Sequence, residues 1–381
     1  MKQVILSAVF LLLLVLPGVQ MILPMVEENK LIGAQTVKDF PSFSYEGIMS
    51  GVMQQQLAEW FAAHIGFRGH LIRTDNQINV SVFKEMSKRS SSQIVLGRNA
   101  FLFEKPYINN YNRQDSVADA VLLEVAGKIA ELQEKLRVRG VQFLVVISPS
   151  KASVYPENIP SRFVRRSRDL EPGNYERWTP MLAARGINYL DGRDFLLKLK
   201  QTERFPVYAA SGTHWNYYAV CQFLTELSER LSELLGKQLA KVTWREARLE
   251  ARPKGDDQDL LLFANLWRRA ALFQPTPYAM TGNTRNGQEF RPRVLIVGAS
   301  HVWQMLHILD KQRIFAQRDF YYYFRRKNSS PPLKEEALDP ATINWQQDML
   351  EKDVVILEIN EAVIPSAGFG FVDAALGWLG R

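Results

Sequence analysis

Apolar positions fall into three patterns along the chain, and each predicts a different kind of element. The first is a near-continuous run, Val4 to Leu23, with Lys2 before it and MVEENK after it. Its 20 residues, at a helical rise of about 1.5 Å each, match the thickness of a bilayer core. Residues 1–25 are therefore read as a signal anchor or, if cleaved, a signal peptide. The absence of a small-x-small site after Leu16 argues for the anchor. Lys2 on the short side places the bulk of the chain outside the cytoplasm. No comparable run is read later, which argues against a channel or transporter.

The second pattern has helical spacing. Met49, Met53, Leu57, Trp60, Phe61, Ile65, Leu71 and Ile72 recur every three or four positions, interrupted at Gly66, so residues 26–90 are read as a helical region. Val121, Leu122, Val125, Ile129, Leu132 and Leu136 predict a long amphipathic helix over Val117–Val138. The third pattern is the short β-branched run. VQFLVVIS, VLIV and DVVILEI are too apolar for half-exposed strands and fit fully buried parallel ones. INYLDGRDFLLKLK is a short strand running into a helix, and a further helix occupies Trp215–Leu235. Alternating helix and strand makes residues 91–381 one α/β domain, with PPLKEEALDPATIN left as a polar loop or frayed helix.

Composition sharpens this picture. Lys and Arg total 47 against 40 acidic residues, a net charge of +7, which suits an anionic partner. The single Cys221 excludes an internal disulfide, and no Cys/His cluster is spaced for zinc, so no metal and no cofactor is expected. Nucleic acid is a poor partner for an exported chain without a basic helix or RNA-binding signature.

Two segments carry chemistry. In VLIVGASHVW the strand ends at Gly298–Ala299 and Ser300 opens a helix, a placement that exposes a hydroxyl above a sheet edge beside free N–H groups able to hold an oxyanion. An N-capping serine is the bland alternative. In YAASGTHWNYYA, His214 precedes a helix and can serve as general base. A packed, helix-capping histidine is the bland alternative there. Of the other histidines, His64, His70, His301 and His307, only His301 adjoins Ser300, and a neighbour on one turn points elsewhere. The run DFYYYFRRK is read as an aromatic core strand ending in a basic turn, with an acidic-sugar contact as the functional alternative. PSKASVYPENIP is read as structural, although Ser150, Lys151 and Tyr155 are placed to line a site.

Taken in order, the IGFRGHLIR segment, VLGRNAFLF, VVISPSKASVYPENIP, the THW block, KGDDQDLL and the VGAS elbow resemble the alginate O-acetyltransferase family of the AlgJ/AlgX type over nearly the whole chain. That resemblance implies a three-layer α/β/α domain like those of SGNH hydrolases, with a parallel sheet, in circularly permuted order because His214 precedes Ser300. It implies an extracytoplasmic O-acetyltransferase acting on an exopolysaccharide, alginate or similar, at the periplasmic side of the inner membrane. A membrane-bound O-acyltransferase would supply the acetyl group.

One departure stands out: the family's His block reads Asp-x-His-Trp, and Gly212 occupies the Asp position. Three solutions are open. Another acid, Asp191, Asp194, Asp256 or Asp257, orients the ring; a backbone carbonyl does so, leaving a Ser–His dyad; or the site is dead and the protein a polysaccharide-binding component. Asn360 is expected as an oxyanion donor, and Trp215 and Tyr218 as substrate contacts. An acetyl esterase using the same residues with water as acceptor is the competing activity.

Overall fold

The computed structural model describes residues 2–33, 38–87, 93–165 and 171–380, which fall into two compact units. The first comprises residues 1–94 with 261–271. It holds helices α1 (Lys2–Ile22), α2 (Val52–His64) and α3 (Arg68–Ile78). Helix α1 has a mean hydropathy of 2.5 and is almost wholly exposed, which suits a membrane span or signal helix. Asn265 exchanges hydrogen bonds with the backbone of Ile32 (2.9 and 3.0 Å), and Asn76 donates to the Ala264 carbonyl, so the 261–271 segment is tied in by amide side chains.

The second unit, residues 95–260 with 272–381, is built on a seven-stranded sheet. Its strands are β1 (Gln142–Ser148), β2 (Tyr189–Asp191), β3 (Arg293–Gly298), β4 (Gln317–Tyr322), β5 (Arg326–Ser330), β6 (Lys334–Ala337) and β7 (Val354–Asn360). The order is β6-β5-β4-β3-β7-β1-β2; β4 to β2 are parallel, whereas β5 and β6 pair antiparallel at one edge. The continuous apolar runs seen in the sequence are the central strands. Their period-two alternation sorts side chains onto two faces.

Leu144, Val146, Val294, Ile296, Val354 and Ile356 pack against helices α6 (Gly192–Thr202), α7 (Tyr217–Leu235) and α8 (Val302–Gln312). Phe143, Val145, Ile147, Leu295, Val297, Val355 and Leu357 pack against α4 (Asp119–Val138), α5 (Asn174–Ala184) and α9 (Phe371–Leu379). Three layers, α/β/α, result. The stretch Glu361–Leu379 also has the length and hydropathy of a span, yet Ile364, Phe371, Val372, Ala375 and Leu379 are buried in this core. The segment expected as a loop or frayed helix contains β6, whose residues KEEA are all exposed. A charged edge strand has no buried face, so no alternation marks it.

Candidate active site

All five parallel strands end at one edge of the sheet, the usual location of ligand sites in open α/β folds. Strand β3 stops at Gly298, where an added Cβ would lie 2.6 Å from Glu358 Oε2 and 2.7 Å from its Cβ. Only glycine lets β3 pass this close to β7. The Ala299 N–H donates to Glu358 Oε2 (2.7 Å) and the Ser148 hydroxyl to Oε1, so a buried carboxylate anchors the elbow from beneath. Burial holds that carboxyl above the usual range, against these two donors. Ser300 follows, half-buried, before α8 begins. The N–H groups of Ser300 and His301 meet no acceptor among the described residues.

His214 arrives from the turn before α7, which Asn216 caps by accepting from the Ala219 N–H (2.9 Å). Its Nε2 lies 2.9 Å from Ser300 Oγ. The Trp215 indole donates to the His301 carbonyl (3.1 Å), bracing the residue after the histidine to the residue after the serine. On the far side of the ring, Asp259 Oδ2 stands 2.9 Å from Nδ1, off the axis of a well-aligned N–H bond. Asp259 is itself fixed, Oδ1 accepting from the N–H groups of Thr213 (2.9 Å) and Leu260 (2.6 Å). The structure thus brings Ser300, His214 and Asp259 together, the serine on the Nε2 side of the ring and the carboxylate on the Nδ1 side.

Asp259 was not among the expected acids, and the four that were lie elsewhere. Asp191 caps α6, accepting from Arg193 and Asp194 N–H (3.0 Å each) and from the Tyr175 hydroxyl (2.6 Å). Asp194 pairs with Lys198 on the surface. Asp256 faces Tyr217 and His307. Asp257 is buried, its carboxyl pushed well above the usual range by burial. The reason for the relocation is steric. A Cβ on Gly212 would lie 2.8 Å from the Asp256 carbonyl oxygen and 3.0 Å from the Asp257 backbone. The 255–259 segment fills the place where an Asp at 212 would stand, and it delivers Asp259 instead.

Three further expectations are corrected. Asn360 is buried, its amide donating to Ser148 Oγ (3.1 Å) and the Pro149 carbonyl (3.2 Å), which spends the donors an oxyanion would need. Trp215 is fully buried and serves as the brace just described. Tyr218 packs edge-on against Phe205 and Trp244 and donates to Glu203 (2.5 Å), a core position rather than a substrate contact. Sequence reasoning also passed over His301, whose buried ring stands edge-on to His214 with centroids 4.7 Å apart. Burial first, and the His214 charge second, hold it far below the usual histidine range, toward its neutral form. Glu104 accepts from the Thr213 hydroxyl (3.2 Å), and its carboxyl is raised by burial and then by the Asp259 charge. Among the described residues no group of three His, Cys, Asp or Glu side chains is gathered for a metal ion.

Beside the elbow, Tyr322, Tyr323, Arg325, Arg326 and Phe369 line an open cleft of about 790 Å³. It adjoins the end of β3 through the Tyr323 N–H, which donates to the Gly298 carbonyl (2.9 Å). The Tyr323 and Phe369 rings meet edge to face at 4.9 Å.

A mostly parallel sheet with a serine elbow and a histidine at its C-terminal edge is the architecture of an SGNH-hydrolase-like domain. Residues 94–310, more than half of the chain, match the family model described as the SGNH hydrolase-like domain of the acetyltransferase AlgX. The chain belongs to that family, and membership supports polysaccharide O-acetylation in general. Solved structures that match the chain include the O-acetyltransferase domain of Pseudomonas putida AlgJ, at 18% identity over 75% of this chain and 97% of that one (TM-score 0.47). Pseudomonas aeruginosa AlgX is 14% identical over 74% of this chain and 66% of its own (TM-score 0.44). Bacillus cereus PatB1 is 11% identical over 73% and 99% (TM-score 0.43). No curated protein sequence matches the chain.

Proposed function

We propose that the protein is an exported O-acetyltransferase that moves an acetyl group onto hydroxyls of an exopolysaccharide, alginate or a similar acidic polymer, through an acetyl-Ser300 intermediate. The observation that carries this reading is the placement of His214 Nε2 at 2.9 Å from Ser300 Oγ with Asp259 Oδ2 at 2.9 Å from Nδ1. His214 takes the Ser300 proton as Oγ bonds to the acetyl carbonyl carbon, and the same proton leaves with the donor's departing group. The unengaged N–H groups of Ser300 and His301 face the developing oxyanion. A sugar hydroxyl then gives its proton to His214, bonds to the acetyl carbon, and Ser300 recovers the proton. Asp259 holds the ring and stabilises its charged form in both halves.

The acceptor sugar lies in the cleft beside the elbow, its ring against Tyr323 and Phe369 and its carboxylate toward Arg325, a guanidinium with no ion pair among the described residues. Helix α1 keeps the enzyme at the periplasmic side of the inner membrane, and a membrane-bound O-acyltransferase delivers the acetyl group, as the family resemblance implies.

The test incubates the protein with a chromogenic acetyl ester and an oligouronate, alongside Ser300→Ala and His214→Ala. Acetylated oligouronate from the wild type, with each variant reduced by about 10⁴-fold or more, is the expected result. Acetate release without acetylated sugar identifies an esterase, oligouronate binding without turnover identifies a binding component, and equal turnover in all three rejects the Ser–His assignment.

A further inference from the structure

Lys151 is a buried cation to which the proposed chemistry gives no part. It begins the short helix Lys151–Val154 after β1, and it is 1% exposed. Its Nζ donates to three carbonyls, those of Leu102 (3.0 Å), Ala210 (2.9 Å) and Gly212. The rings of Phe101 and Phe103 close over it at 5.2 and 5.7 Å. An ammonium has three N–H groups and all three are engaged. A neutral amine has two and would turn a lone pair toward a carbonyl oxygen.

No carboxylate is ion-paired with it among the described residues. The acids that surround it, Asp259 and Asp257 from the 255–259 segment and Glu104 from the strand Leu102–Glu104, act from a distance. An unpaired buried charge costs several kcal/mol, so an apolar side chain would fill this space more cheaply if only packing mattered. Two of the three carbonyls belong to the turn that carries His214, and the third belongs to the strand that supplies Glu104.

We infer that Lys151 is a positioning residue for His214: its ammonium grips the Ala210 and Gly212 carbonyls and so sets the turn at the height where the imidazole reaches both Ser300 and Asp259. The grip depends on the proton. Burial draws the Lys151 ammonium down to about 7, with the Asp259, Asp257 and Glu104 charges opposing. The grip is therefore complete on the acid side of neutrality and is lost as pH rises through it. Besides Lys151, the groups facing His214 are Ser300, Asp259, Glu104, Glu358 and His301, the last held toward its neutral form by burial.

The activity arm of the test rests on the Ser300–His214 reading, so a second arm does not use catalysis. In the first, kcat and KM for acetyl-ester hydrolysis are followed against pH for the full chain and for Lys151→Met. The wild type is expected to lose kcat on the alkaline side of neutrality. Lys151→Met is expected to lower kcat by about 10- to 100-fold, as small misplacements of a reacting group do, with KM unchanged and the alkaline limb gone. In the second, the imidazole NMR signals of His214, assigned by their loss in His214→Ala, are compared between wild type and Lys151→Met, with those of exposed His307 as control.

A shift of His214 alone supports the inference even if Ser300→Ala shows that Ser300 is not the nucleophile. Wild-type kcat, pH profile and His214 signals in a folded Lys151→Met would overturn it. If Lys151→Met does not fold, the wild type decides: a rate and His214 signals that stay flat from neutral through alkaline pH also overturn it.

Discussion

Two clusters of buried charge lie in the same α/β unit and are built on opposite principles. Around Asp319, on β4, each charge touches an opposite one. Lys352 Nζ is 2.6 Å from Asp319 Oδ2, Ser329 donates to Oδ1 (2.5 Å), and Lys327 Nζ is 2.7 Å from Asp348, which also accepts from Tyr321 (2.8 Å). Burial works to raise the Asp319 carboxyl, but the hydrogen bonds from Lys352 and Ser329 outweigh it, and the group sits below the usual range. Around the elbow, five titratable groups other than His214 and Asp259 have no ion-pair partner among the described residues. Lys151 is pulled down, while Glu104, Asp257 and Glu358 are pushed up and His301 is pushed down, each mainly by burial and each toward its neutral form. The paired cluster is framework. The unpaired one surrounds Ser300 and His214, and groups displaced from their ordinary ionisation gather where protons are moved.

The contrast can be broken from either side. The largest effect is expected at Asp259→Asn, which leaves the ring geometry but removes the charge behind it. The kcat for ester hydrolysis should fall about 10³-fold, while Asp194→Asn and Asp256→Asn stay within about twofold because neither touches His214. Parity of all three variants in the same assay would remove Asp259 from the site.

In the paired cluster, Lys352→Met strands a buried carboxylate. It should cost about 3–5 kcal/mol of unfolding free energy by urea titration, with kcat unchanged where the protein remains folded. Gly212→Asp, which restores the family's usual acid, should not rescue Asp259→Asn and should itself cost about 1–3 kcal/mol, since its Cβ meets the Asp256 and Asp257 backbone. Rescue would mean that the 255–259 segment yields more readily than its packing indicates.

The smallest effect concerns pH. A carboxyl raised on folding contributes no penalty below its ordinary value and lowers stability as pH climbs from there to the folded value. Asp257→Asn should therefore stabilise the protein at neutral pH and do little near pH 4, close to the ordinary aspartate value. Asp319, lowered on folding, contributes the opposite sign: its stabilisation is present above the ordinary value and is lost as acid reaches the folded one. Urea midpoints at the two pH values separate the contributions.

Much of the architecture was legible along the chain because buried parallel strands announce themselves as short β-branched runs. The central strands β1, β3 and β7 and helices α4 and α7 lie where those patterns placed them, within a residue or two at their ends. Helix α1 was legible because its apolar run is a property of one continuous segment. The strands β5 and β6 were not, because RKNSS and KEEA carry no apolar run to read, and the pairing of Val242–Glu250 with Thr276–Asn283 joins segments kept apart in the chain by intervening helical turns.

Ser300 and His214 were each legible from local context, an elbow after a buried strand and a histidine before a helix. By itself, then, the sequence determined the α/β class and the apolar N-terminal helix, and it nominated Ser300 and His214, which folding brings to 2.9 Å of each other. The tertiary structure decided the rest. The carboxylate on the Nδ1 side of the ring sits in the KGDDQDLL segment, where nothing local separates Asp259 from Asp256 and Asp257. Only the closeness of that segment to Gly212 shows which of the three reaches the imidazole. Lys151 likewise reads in sequence as one more cation in a loop, and becomes a clamp only because folding brings three carbonyls to its ammonium. A helix or strand is specified by neighbours in the chain, whereas a charge takes its role from whatever folding places within a few ångströms of it.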